Sequence, residues 1–66
     1  MNIITYNFGD VRVVIDSKNE RYVTWEDKEV RFSQYAMAEV NKLYFNGSTV
    51  EQAYKTVFKR LCGWSE

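Results

Sequence analysis

Apolar and polar residues alternate with period two through IITYNFGDVRVVID, residues 3–16. Gly9-Asp10 divides this run into two halves. Gly followed by Asp is a two-residue hairpin signal, because Gly supplies the positive φ that opens a type II′ turn. The turn sets Phe8 opposite Val11, Tyr6 opposite Val13 and Ile4 opposite Ile15. All six are apolar and share one face, whereas Ile3, Thr5, Asn7, Arg12, Val14 and Asp16 form a more polar opposite face. A one-residue slip would mix the two sets, so the register is well specified.

The next turn falls in SKNE, residues 17–20. An even loop at Asn19-Glu20 turns Trp25 to the polar face, opposite Val14. A three-residue loop, Lys18 to Glu20, instead sets Val23 opposite Ile15 and Trp25 opposite Val13, and leaves Tyr22 outward. Burial of Trp25 favours the odd loop, and Asn19 tolerates the left-handed conformation it needs. A third turn at Asp27-Lys28 pairs Trp25 with Val30 and Val23 with Phe32. The expected strands cover residues 3–8, 11–17, 21–26 and 29–32.

From Ser33 the period lengthens to that of a helix. Ser33 is an N-cap candidate for a helix over Gln34 to Phe45, with Ala36, Val40 and Leu43 as its apolar stripe and Met37 and Tyr44 on the flanks. Gly47 suits a left-handed C-cap. Ser48 and Glu51 match a capping box, S-x-x-E, for a second helix over Thr49 to Cys62. That helix gathers Val50, Ala53, Tyr54, Val57, Phe58 and Leu61 on one face. Gly63 ends it, and Trp64 is placed to fold back onto it. Strands followed by helices predict an α+β fold. It is a three- to four-stranded antiparallel meander followed by a two-helix hairpin packed on one sheet face.

Composition sets the limits. The 66 residues make one small domain, 1–66, with nine basic and nine acidic residues and no His. A domain this size buries roughly 60% of its unfolded surface, and large aromatic side chains, 17% of the chain, help to offset the small core. A neutral balance disfavours a general nucleic-acid binder, which carries a basic excess. No apolar run approaches the roughly 20 residues of a membrane span, and the start MNIITYNF lacks the features of a signal peptide. The single Cys62 suits a reducing, cytoplasmic setting, and the initiating Met suits a complete small protein.

Candidate chemistry is sparse. Without His, the commonest general base and neutral metal ligand are missing, and one Cys cannot build a thiolate zinc site. There is no phosphate-binding glycine loop. Glu26, Asp27 and Glu29 read as a solvated charged hairpin rather than a paired-carboxylate site. Cys62 lies near a helix C-terminus, where the dipole disfavours thiolate. Asn46-Gly47-Ser48 fits a glycosylation sequon but reads as a helix connection. The expectation is therefore no enzyme, no cofactor and no metal.

What remains is binding. Ile3, Val14, Tyr22, Tyr35 and Phe45 have no assigned burial site, and interfaces favour aromatic residues and Arg. The contact candidates for a protein partner are Arg12, Val14, Tyr22, Tyr35 and Phe45. One alternative is a homodimer that completes the small core. Another is nucleic-acid binding, either by the sheet face, with Arg12, Arg21 and Arg31, or by Lys55, Lys59 and Arg60 on the last helix. In length, lack of catalytic residues and compact α+β pattern, the chain resembles the small cytosolic proteins that bacteriophages make to inhibit or redirect host machinery, anti-CRISPR proteins among them. The resemblance spans the whole chain, contains no shared motif and carries over no residue role. It implies a stoichiometric inhibitor that occludes a surface of a larger protein.

Overall fold

Gly9 takes a φ of 63° and turns the chain back on itself, so that β1 (Ile4–Phe8) pairs antiparallel with β2 (Val11–Ile15) in the expected register. These and the following features come from a computed structural model, which describes residues 3–63. Trp64, expected to fold back on the last helix, lies outside the described residues. β3 (Arg21–Trp25) and β4 (Lys28–Phe32) continue the meander, giving one antiparallel sheet in the order β1-β2-β3-β4.

Two turns differ in position from the expectation. The second loop has three residues, as expected, but they are Ser17 to Asn19. Asp16 fixes it. Its carboxylate accepts from the backbone N–H groups of Lys18 (2.9 Å) and Glu20 (3.0 Å), and its carbonyl accepts from Asn19 (3.0 Å). Asn19 then takes the left-handed conformation, φ 63°, the usual end of a three-residue hairpin loop. Val13 therefore faces Val23, and Ile15 faces Arg21.

The third turn is Glu26-Asp27, with φ of 55° and 62°. Both signs fit a type I′ turn, whose twist matches that of the flanking strands. Trp25 consequently faces Lys28, Val23 faces Val30, and Arg21 faces Phe32. Each slip is two residues in register, and a strand repeats every two residues, so Val23 and Trp25 keep their inward face and Tyr22 its outward one. Arg21 alternates with Tyr22 and so shares the face of Val23 and Trp25, unlike Arg12 and Arg31, the other sheet-face nucleic-acid candidates. It does not project from the sheet but lies on the helix-covered face, donating to the Tyr54 hydroxyl (3.0 Å) and reaching Met37 Sδ (3.4 Å).

The helices form where the periodicity placed them. Ser33 Oγ accepts from the Ala36 N–H (3.3 Å) and caps α1 (Gln34–Phe45). Gly47, at φ 107°, closes it in a Schellman motif, with Gly47 N–H donating to the Tyr44 carbonyl and Ser48 N–H to the Leu43 carbonyl. Ser48 is thereby committed to the end of α1. The cap of α2 (Val50–Cys62) passes to Thr49, whose hydroxyl accepts from Gln52 N–H at 3.1 Å, so the Ser48–Glu51 capping box does not form. Gly63 ends α2 at φ 68°.

Val11, Val13, Val23 and Phe32 from the sheet meet Ala36 and Val40 of α1 and Ala53, Tyr54, Val57 and Phe58 of α2 in one core. α2 packs across β2, β3 and β4, while α1 packs on α2 and β4. Tyr54 sits among rings, 5.8 Å from both Phe8 and Phe32. Tyr44 and Leu61 are exposed, although the helical pattern put them on or beside the buried stripe. Trp25 is half-buried at one end of the sheet, with its ring edge-on to Phe58 at 5.7 Å. Among the described residues, no helix is long and apolar enough to cross a membrane.

Candidate interaction surfaces

α1 is two-sided. Its inner side buries Ala36 and Val40, with Leu43 and Met37 packed against the core. Its outer side carries Tyr35, Ala38, Lys42 and Phe45, all exposed. Their spacing of three, four and three residues keeps them along one strip of the helix, opposite the core. Tyr35 is 88% exposed and Phe45 83%, and ten residues of helix separate them by about 15 Å. Beside Phe45, Tyr44 adds a second partly exposed ring, edge-on at 6.0 Å.

The other three protein-binding candidates lie on the far side of the molecule, on the sheet face that no helix covers. Val14 stands directly opposite Tyr22, and Arg12 is two residues along on the same face, opposite Thr24. Tyr22 is held in place: its hydroxyl donates to a Glu20 carboxylate oxygen (3.3 Å), and the second oxygen of that carboxylate accepts from Arg31. Val14 and Tyr22 are half-buried by their neighbours, whereas Arg12 is exposed. The five candidates thus form two separate surfaces, an aromatic one on α1 and a mostly polar one on the sheet.

Desolvation of the Tyr22 phenol, followed by the negative charge of Glu20 and Asp16, raises its pKa above the ordinary tyrosine value. The folded state therefore favours the neutral phenol, and this contribution to stability is complete below the ordinary value and lost as pH rises through the raised one. A difference titration of phenolate absorbance, wild type minus Tyr22→Phe, should show the Tyr22 component ionising above free tyrosine. A component at or below the free value would contradict the geometry.

The basic candidates on α2 are engaged within the molecule. Lys55 Nζ lies 2.8 Å from Glu51 and 3.6 Å from Asp10, and 5.2 Å from the centroid of the Trp25 ring. Lys59 lies over the same ring at 5.7 Å, and Arg60 pairs with Glu39 at 3.2 Å. Glu51 is lowered in pKa by the Lys55 hydrogen bond and then by the Asp10 backbone N–H, and Lys55 is raised by the same Glu51 bond. Arg21 is taken up by Tyr54 and Arg31 by Glu20.

No family model, curated protein or solved structure matches this chain. Its surfaces have to be judged on their own chemistry. Glu26, Asp27 and Glu29 are exposed around the type I′ turn, and Cys62 is half-buried. No group of three or more His, Cys, Asp and Glu side chains among the described residues is placed to hold a metal. An open depression lined by Asp10, Arg12, Thr24, Trp25, Glu26 and Asp27 marks one end of the sheet. The α1 strip could have been found in the sequence, because Tyr35, Ala38, Lys42 and Phe45 repeat at helical spacing. Lack of a burial site singles out only its two aromatic ends, Tyr35 and Phe45.

Proposed function

We propose that this chain is a non-enzymatic protein-interaction module, and that α1 carries its contact surface. Tyr35, Ala38, Lys42 and Phe45 enter an apolar groove on a larger protein, in the manner of a helix read through residues three, four and seven apart. The exposure of Tyr35 and Phe45 carries this reading. An ordinary surface helix buries one apolar stripe and offers water a polar one. α1 has the buried stripe and then places two large aromatic side chains on the opposite side. Aromatic residues are where binding energy concentrates at interfaces. The small Ala38 between them lets a partner surface approach the helix closely. Binding of this kind suits a stoichiometric inhibitor in the cytoplasm, like the phage-made proteins that the chain resembles in size and design.

Tyr35→Ala and Phe45→Ala test the reading. Neither side chain supports the core, so both variants should keep the wild-type circular dichroism and lie within about 0.5 kcal/mol of its stability. Each should weaken capture of the partner that wild type recovers from host cytosol by about 30-fold, the scale of a hot-spot residue at about 2 kcal/mol. Tyr22→Ala, on the other surface, should retain that partner. Loss of the partner in Tyr22→Ala, with full binding by both α1 variants, would move the site to the sheet.

A further inference from the structure

Among the described residues the sheet ends in two unpaired edge strands, β1 and β4, and they are built differently. β4 carries Lys28, Glu29 and Arg31 within its five residues, a common guard against pairing with another strand. β1, ITYNF, carries no charge, and neither does Ile3 before it. β1 also extends beyond the cover of the helices. Ile4 and Tyr6 point to the helix-covered side, yet remain 49% and 45% exposed. Only Phe8 of this row is drawn in, by its stack on Tyr54.

The hairpin decides which backbone groups are free. A two-residue turn makes Phe8 and Val11 a hydrogen-bonded pair, and the antiparallel ladder alternates from there. Tyr6 and Ile4 therefore direct their N–H and C=O groups to β2, and Thr5 and Asn7 direct theirs outward. An incoming antiparallel strand must bond to Thr5 and Asn7, and its own inward-facing side chains must then meet Ile4 and Tyr6.

We infer that this edge binds a second copy of the chain, β1 to β1 and antiparallel, about a two-fold axis at Thr5. In that register Thr5 faces its own image, Ile4 faces the partner's Tyr6, and Tyr6 faces the partner's Ile4. Aromatic–β-branched and Thr–Thr pairs are favourable across antiparallel strands. Ile4 and Tyr6 fall at the pairs without mutual hydrogen bonds, where side chains approach most closely. The two residues left about half exposed on one copy, Tyr6 with one side of its ring stacked on Phe8 at 6.0 Å, are thus the ones that the other copy covers. An axis at Tyr6 would instead pair Ile4 with the partner's Phe8, which is already committed to Tyr54. The electrostatics permit self-association, because the two edges bring no charge together and the chain is neutral overall, with nine basic and nine acidic residues. The product is a closed, isologous dimer with an eight-stranded sheet and all helices on one side.

Sedimentation velocity across a protein concentration series tests this directly. Wild type should reach twice the chain mass. Thr5→Pro removes an outward N–H without touching the β1–β2 ladder, a position where an edge strand accepts Pro, and should remain at single-chain mass with unchanged circular dichroism. Tyr6→Lys should do the same by a different route. Tyr35→Ala and Phe45→Ala, on α1, should dimerise normally. The register has its own test in a Cys62→Ala background. Thr5→Cys should cross-link to its image on mild oxidation, the facing Cα atoms being about 5.5 Å apart, whereas Asn7→Cys should not. A wild-type chain that stays at single mass at the highest concentrations overturns the inference. So does a dimer that survives both Thr5→Pro and Tyr6→Lys, or one that cross-links through Asn7→Cys instead of Thr5→Cys.

Discussion

Phe58→Ala should leave this chain largely unfolded at room temperature. Phe58 is 0% exposed and is the largest fully buried side chain of the core. It lies where α2 meets the sheet, against the edge of Trp25. Truncation removes its transfer free energy and leaves a cavity that a helix crossing three strands cannot collapse to fill. Such changes cost about 3–5 kcal/mol. A core of this size supplies only about 3–5 kcal/mol in total, so the expected loss matches the whole reserve. Far-ultraviolet circular dichroism would show it as loss of both helix and sheet signals. Leu61→Ala is the matched control, since Leu61 is half exposed on the same helix. It should remain folded, with an unfolding free energy, read from a urea transition, lowered by less than about 1 kcal/mol. A folded, cooperative Phe58→Ala would mean that the core does not depend on this contact.

Gly9→Ala should destabilise by about 2–3 kcal/mol, more than any ordinary surface change. Two effects combine. The φ of 63° costs an L residue about 1–2 kcal/mol. A methyl group there would also land within contact of the Glu51 carboxylate, whose oxygens have to shift. That carboxylate holds the Asp10 backbone N–H and pairs with Lys55, so the shift also loosens the link between the first turn and α2. A double-mutant cycle separates the two. In a Glu51→Ala background the clash is gone, and Gly9→Ala should cost only the backbone share of about 1–2 kcal/mol. Equal costs in both backgrounds would show that Glu51 does not press on the turn.

The contrast between Gly9 and Glu26 explains how much of the fold could be read from the sequence. Gly9, Gly47 and Gly63 each occupy a position with positive φ, and each marked a boundary correctly, because only Gly takes that conformation without strain. Glu26 and Asp27 take the same conformation without advertising it, so residue type alone sets the third turn one residue late. Asp16 likewise gives no local sign that it shapes the second loop, since its carboxylate acts two and four residues away. The strand faces still came out correctly, because alternation has a period of two and both slips were even. The capping box failed for a different reason. The capping box needs the Ser48 backbone N–H, and the Schellman closure of α1 takes it for the Leu43 carbonyl.

The interaction surfaces were legible to different degrees. Tyr35 and Phe45 stood out because the helical pattern left them nothing to pack against. The exposure of Ile4 and Tyr6 could not be read from alternation, which placed them in the core. It depends on where α2 crosses the sheet, and that is set by contacts among Tyr54, Val57, Phe58 and the three strands beneath them. Leu61 is exposed for the same reason, although it lies on the apolar face of α2.

The order of elements along the chain has a consequence for synthesis. Each strand pairs with its neighbour in sequence, and the two helices pack on each other in the same way. Such local connectivity favours rapid folding. Yet Tyr54, Val57 and Phe58, which cover the sheet, are the last core residues to emerge from the ribosome. The four strands can pair while still tethered, but they wait with a bare apolar face and an uncharged β1 edge until α2 arrives. During that interval the nascent chain is most exposed to nascent copies of itself, and a chaperone that shields β1 would have its greatest effect then.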